Sequence, residues 1–145
     1  MAAFRHQVIV SMNDTDAAGI IFFASQFVFA HVTYERFLES IGFSFAEALE
    51  KEPYLLPIVH AESDYLRPLK VGDRLDVELT VSNIGHTSFT LDYLFLRDGE
   101  MVGRSRSVHV SMTKEDGKKA PLPEKLLRAL ELFCTGAERR PKRSP

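Results

Sequence analysis

The chain has 145 residues, the length of one domain, and its 45% hydrophobic and 26% charged residues exclude both a disordered tail and a bundle of membrane helices. Its formal net charge is -2, with Arg139, Arg140, Lys142 and Arg143 against Glu138 in residues 138–145. The remaining body is therefore acidic and offers no basic face to nucleic acid. Cys134 is the single cysteine, which excludes an internal disulfide and a thiolate zinc cluster and fits a reducing cytoplasm.

Phe4 to Met12 alternates, with Phe4, Val8, Val10 and Met12 on one side, and predicts a half-buried first strand that Asn13 to Asp16 then break. Ala17 to Tyr34 lacks charged residues, but Gly19, Ser25, Gln26, His31 and Thr33 interrupt it, so it predicts a buried helix and no membrane insertion. That helix runs from about Ser25 to Ile41 with Gly42 as its stop. Ser44 to Glu47 fits a capping box and opens a short second helix to about Lys51. The period then becomes two over Leu55–Leu66, 74–84, 87–97 and 100–113, with Asp98-Gly99 as a tight hairpin. Leu126, Leu127, Leu130 and Phe133 share one face of a last helix from about Pro123 to Gly136. One α+β domain over 1–137 follows: five antiparallel strands in the order β-α-β-β-β-β around a long apolar helix, with a C-terminal helix behind. Residues 138–145 form a basic, disordered tail. The 11 Phe and 4 Tyr give an aromatic core and suit the wall of a pocket for a flat apolar ligand.

No nucleophile elbow or glycine-rich phosphate loop occurs, and the histidines stand apart at 6, 31, 60, 86 and 109, so no metal site is expected. The run Asp14-Thr15-Asp16-Ala17-Ala18-Gly19-Ile20-Ile21-Phe22-Phe23 carries the chemistry. Two aspartates before a helix also serve as a turn and a cap. A carboxylate in that place, however, faces the free amides of the first helical turn, which can polarise a carbonyl oxygen. Asp is ionised at neutral pH without a partner base, so the pair suits cleavage of an activated acyl group such as a thioester.

The same run, between the first strand and the long helix, resembles the signature of the 4-hydroxybenzoyl-CoA thioesterase family of hotdog-fold enzymes. The resemblance spans about Arg5 to Leu126 and includes Leu69 to Asp73 and Thr87-Ser88-Phe89. Leu56 to Ala61 and Lys118 to Pro123 are most similar to the 1,4-dihydroxy-2-naphthoyl-CoA hydrolases of menaquinone and phylloquinone biosynthesis. This implies a curved five-stranded sheet wrapped around the central helix. It makes Asp16 the catalytic carboxylate, as nucleophile or general base, with Asp14 holding the turn. The main-chain N–H of Phe23 would bind the thioester oxygen. Gly19, Ile20, Phe22, Gln26, Pro57, Val59, His60, Thr87 and Ser88 would contact substrate, His60 in the acyl pocket, although Gln26 also fits a helix cap and His60 a satisfied strand histidine; Arg67, Lys70 and Arg74 are candidates for the phosphates of coenzyme A or solvated surface charges. Phe23 replaces a histidine of a short-chain branch, which favours an aromatic acyl group, although packing in the core explains it equally. His31 and Glu35, four apart on the helix, would pair with each other.

The resemblance further implies a cytoplasmic homotetramer, a dimer of dimers, whose only cofactor-like group is the coenzyme A of its acyl-CoA substrate. Asp16 would come from one subunit and His60 from the next. Two other readings fit the same residues: a broad acyl-CoA or acyl-carrier-protein thioesterase, and a non-catalytic acyl-CoA-binding protein.

Overall fold

A computed structural model describes residues 3–134. Its main sheet orders five strands as β1-β4-β5-β6-β3: β1 Phe4–Ile9, β3 Ile58–Tyr65, β4 Arg74–Ile84, β5 Ser88–Arg97 and β6 Glu100–Val110. All neighbours are antiparallel. The stretch expected as one last strand to Thr113 divides at Ser111, and β7 Met112–Thr113 pairs separately with β2 Tyr54–Leu55. Helix α1 covers Phe23–Ser40, α2 Phe45–Lys51 and α3 Glu124–Leu132.

Alternation decides which face is dry. Leu75, Val77, Leu79 and Val81 of β4, with Phe89, Leu91 and Phe95 of β5, are fully buried against α1 and α3, as the period-two pattern requires. Phe37 of α1 is equally buried, with the Phe4 ring 5.7 Å and the Phe133 ring 5.1 Å away. Burial of a ring of this size contributes roughly 1.5–3 kcal/mol. Leu126 and Leu130 seat α3. Among the described residues no helix is long and apolar enough to cross a membrane.

The stop at Gly42 takes a definite form. Gly42 has φ 91°, its N–H donates to Glu39 and that of Phe43 donates to Leu38, the paired bonds of a Schellman motif. Other details depart from expectation. Met12 is not a strand residue; it opens a 3-10 turn, Met12–Asp14, and is 80% exposed. Ser44 precedes α2 without a side-chain capping bond. The end at Gly136 and the tail 138–145 lie outside the described residues.

Candidate active site at the start of the central helix

Residues 14–22 fold as a narrow loop bridged at Thr15 and Ile21. Gly19 closes the turn at φ 81°, its N–H donating to Asp16 O at 3.0 Å, while Asp16 N–H donates to Ile20 O. A side chain would be strained at this left-handed position, so glycine is required. Asp14 holds the loop, as expected. Its Oδ2 accepts from Ser11 N–H at 2.8 Å, and its carbonyl accepts from Phe22 N–H and from Ser25 Oγ, each at 2.8 Å. Ile21 N–H donates to Leu69 O, which ties the loop to the segment preceding β4.

Asp16 lies exposed beside this brace, its Oδ1 accepting from Ala18 N–H at 2.8 Å. Ile20, Phe22 and Phe23 are exposed with it, and the rings of Phe22 and Phe23 meet at 4.6 Å. Phe23 is 64% exposed, so core packing does not account for it. Phe22 N–H is used by Asp14 and Ser25 N–H by Phe22 O. The amides of Phe23 and Ala24 begin the helix, where no intrahelical acceptor exists for them. A carboxylate and two forward-pointing N–H groups therefore share one end of the molecule, at the positive end of the helix dipole.

Gln26 is placed differently from expectation. It is 1% exposed, and its Nε2 donates to Asp64 O at 3.0 Å and Arg104 O at 3.2 Å. It clamps α1 to β3 and β6 and is out of reach of a substrate in this position. Gly103 makes room for it, since a Cβ there would lie 2.5 Å from Gln26 Oε1.

The other expected contacts gather elsewhere. Val110 N–H donates to Pro57 O at 3.0 Å and Ser111 N–H to Thr87 O at 2.7 Å, so Pro57, Val59, Thr87 and Ser88 cluster where β3 and β5 begin. Val59 is the bulged residue of β3. Along β3 this end lies about 20–25 Å from Tyr65, beside the helix start, at roughly 3.3 Å per residue. One chain does not bring the two groups together. His60 turns to the outer face of β3, 3.6 Å from Glu62, while Ile58 and Ala61 face α1. His31 pairs with Glu35 at 3.1 Å. Arg67 reaches Glu100 at 3.4 Å.

Between α1 and the edge strand β3 lies an open groove of about 520 Å³, walled by Phe27, Val28, His31, Ile58 and Ala61. Its lining is almost wholly apolar; Tyr93, Ser105 and Ser107 stand at its base, buried, with their hydroxyls turned to partners inside the protein. Tyr93 Oη is 3.0 Å from Ser107 Oγ, which is 2.7 Å from His109 Nε2. His109 is fully buried and stacks on Phe89 at 4.8 Å. Sequence reading missed this chain, although Gly103, Ser105, Ser107 and His109 alternate along β6 as a polar inner face. Burial pulls the His109 imidazole down to about 4; the Leu56 backbone opposes this and His31 adds to it. The unfolded chain takes up a proton below about pH 6.5 that the folded chain refuses until about pH 4. The stabilisation is full above that window and falls by roughly 3 kcal/mol as pH drops through it. Urea melts from pH 7.5 to 4 should show this slope, flattened in His109→Gln; equal slopes would contradict it.

The model of the thioesterase-like superfamily matches residues 10–130. The chain belongs to that superfamily. This thioesterase is 34% identical over 127 residues to a 1,4-dihydroxy-2-naphthoyl-CoA hydrolase of Synechococcus elongatus, covering 87% of the chain and 93% of the relative. It is 33% identical over 144 residues to one of Nostoc punctiforme, covering 97% of each. The solved 1,4-dihydroxy-2-naphthoyl-CoA thioesterase of Synechocystis superposes with a TM-score of 0.84 at 31% identity, over 89% of this chain and 96% of that one. A gentisyl-coenzyme A thioesterase superposes at 0.80 with 25% identity, over 87% and 98%. The α+β hotdog architecture of the thioesterase is thus shared with enzymes named for hydroxylated aromatic thioesters.

Proposed function

We propose that this thioesterase hydrolyses an aromatic acyl-CoA, 1,4-dihydroxy-2-naphthoyl-CoA before others, to the free acid and coenzyme A in menaquinone or phylloquinone biosynthesis. The observation that carries the reading is the braced loop 14–22, which bears the exposed Asp16 carboxylate and leads directly into the helix-start amides of Phe23 and Ala24. The thioester carbonyl oxygen accepts from the Phe23 N–H, and negative charge developing on it is stabilised by the helix dipole. Asp16 either attacks the carbonyl carbon, expelling coenzyme A thiolate and leaving a mixed anhydride for water, or removes a proton from the water that attacks. Neither route needs a metal or a bound cofactor.

The aromatic assignment draws on the names of the relatives and on the exposed Phe22 and Phe23 rings. The groove supports it as well, being within the size range of small-molecule pockets and lined almost wholly by apolar surface. Gly19, Ile20 and Phe22 serve the thioester end of the substrate, and Pro57, Val59, Thr87 and Ser88 of a second chain serve the remainder. The enzyme acts as a cytoplasmic homotetramer, a dimer of dimers, with each site shared between two subunits. A panel of aryl, short-chain and long-chain acyl-CoA thioesters tests the substrate class. Hydroxyaryl thioesters should exceed aliphatic ones in kcat/KM by at least about tenfold, the scale that separates substrates by pocket contacts. Equal turnover would replace this reading with a broad-specificity thioesterase.

A further inference from the structure

Tyr65 closes β3 at the end where α1 begins, and its hydroxyl donates to the Phe23 carbonyl at 2.5 Å. Its neighbour Asp64 accepts from Gln26 through its own carbonyl at 3.0 Å. Two successive residues of an edge strand thus hold the first turn of the helix. The target of Tyr65 is informative. The Phe23 carbonyl and the Ala24 N–H belong to the same planar peptide unit, so fixing the direction of one fixes the direction of the other. A donor on the carbonyl also strengthens the N–H on the opposite side of the unit, because hydrogen bonds in a chain polarise one another. Ala24 N–H is one of the helix-start amides that no turn of the helix satisfies.

We infer that Tyr65 is a positioning residue for thioester hydrolysis: it orients and polarises the Phe23–Ala24 peptide so that Ala24 N–H joins Phe23 N–H at the thioester oxygen. The inference rests on the reading of Asp16 and the helix amides as the reaction centre. An amide aimed at charge that develops only in the transition state changes kcat more than substrate binding. The rest of the tie explains why Tyr65 can be tested alone: Gln26, held by Asp64 and Arg104, still fixes the helix to the sheet when the phenol hydroxyl is removed.

In Tyr65→Phe, kcat for 1,4-dihydroxy-2-naphthoyl-CoA should fall about three- to tenfold, the worth of one hydrogen bond, with KM within about twofold. Melting temperature and oligomeric state should match wild type. The protein carrying 3-fluorotyrosine at position 65, a stronger donor of nearly the same shape, should recover kcat to the wild-type value or above. An unchanged kcat in Tyr65→Phe, a loss confined to KM, or a loss that fluorotyrosine leaves in place would each overturn the positioning role. Asp16→Asn is measured beside it. If that variant turns over like wild type, the underlying reading fails; if it is inactive while Tyr65→Phe is unchanged, only the role of Tyr65 fails.

Discussion

Asp16→Asn should lower kcat by at least about a hundredfold while leaving the melting temperature within a degree or two, since a single general base or nucleophile supplies 10²–10⁴ in rate. The fold is spared for a local reason. The turn uses the carboxylate through Oδ1, which accepts from Ala18 N–H, and an amide oxygen accepts that bond equally well. Substitution therefore removes charge and basicity and little else. Asp14 provides the contrast within the same loop. Its Oδ2 is engaged by Ser11 N–H, so Asp14→Ala loses a capping bond and should cost about 1 kcal/mol of stability. Because the Asp14 carbonyl, which holds Phe22 and Ser25, is main chain, activity in that variant should largely survive. Rates on the aryl thioester with parallel thermal melts separate the two aspartates. Wild-type turnover in Asp16→Asn would remove Asp16 from the chemistry.

The parts of this molecule that were legible in the sequence are those where one force acts alone. Residues 74–84 and 88–97 alternate because burial against α1 and α3 is the main demand on them, and their inner residues are dry. Gly42 and Gly19 mark backbone turns that need left-handed φ, and both have it. The loop from Asp14 to Phe23 was read from its motif, and its local bonds can be formed by neighbours in sequence. What was hidden depends on partners far along the chain. Gln26 is expected to contact substrate from the helix start, yet its partners are main-chain atoms at Asp64 and Arg104, and nothing near Gln26 announces them. His60 stood in a motif of the right kind, but the bulge at Val59 resets which side chains face α1, and a one-residue shift reverses a strand's faces. The polar inner side of β6 was readable as spacing but lacked meaning until Tyr93 came to stand opposite Ser107.

Two inactive variants, mixed, should regain activity. Asp16→Asn removes the reaction centre, and Val59→Trp places a bulky ring on the exposed bulge of β3, at the opposite end of the same chain. Within one subunit these positions lie too far apart to serve one thioester carbonyl and its acyl group together. The molecule itself indicates how the gap closes. β3 is an edge strand with Ile58, Val59 and Ala61 uncovered, and α1 leaves Phe23 and Val28 exposed beside it, the kind of surface that marks an interaction site. Antiparallel pairing of two β3 edges about a two-fold axis would set the Ile58 end of each against the Tyr65 end of the other. The helix start of one chain would then meet Pro57, Val59, Thr87 and Ser88 of its partner, as the proposed shared site requires. In a mixed dimer one site carries both substitutions and the other carries neither. At equal amounts, after subunit exchange, the mixture should show about a quarter of the wild-type rate, because half the dimers are mixed and each has one intact site. Each variant alone should remain nearly inactive at any concentration. Mixed dimers that form and stay inactive would mean that one chain holds a whole site, and the 520 Å³ groove between α1 and β3 would then have to receive the acyl group without help from a second subunit.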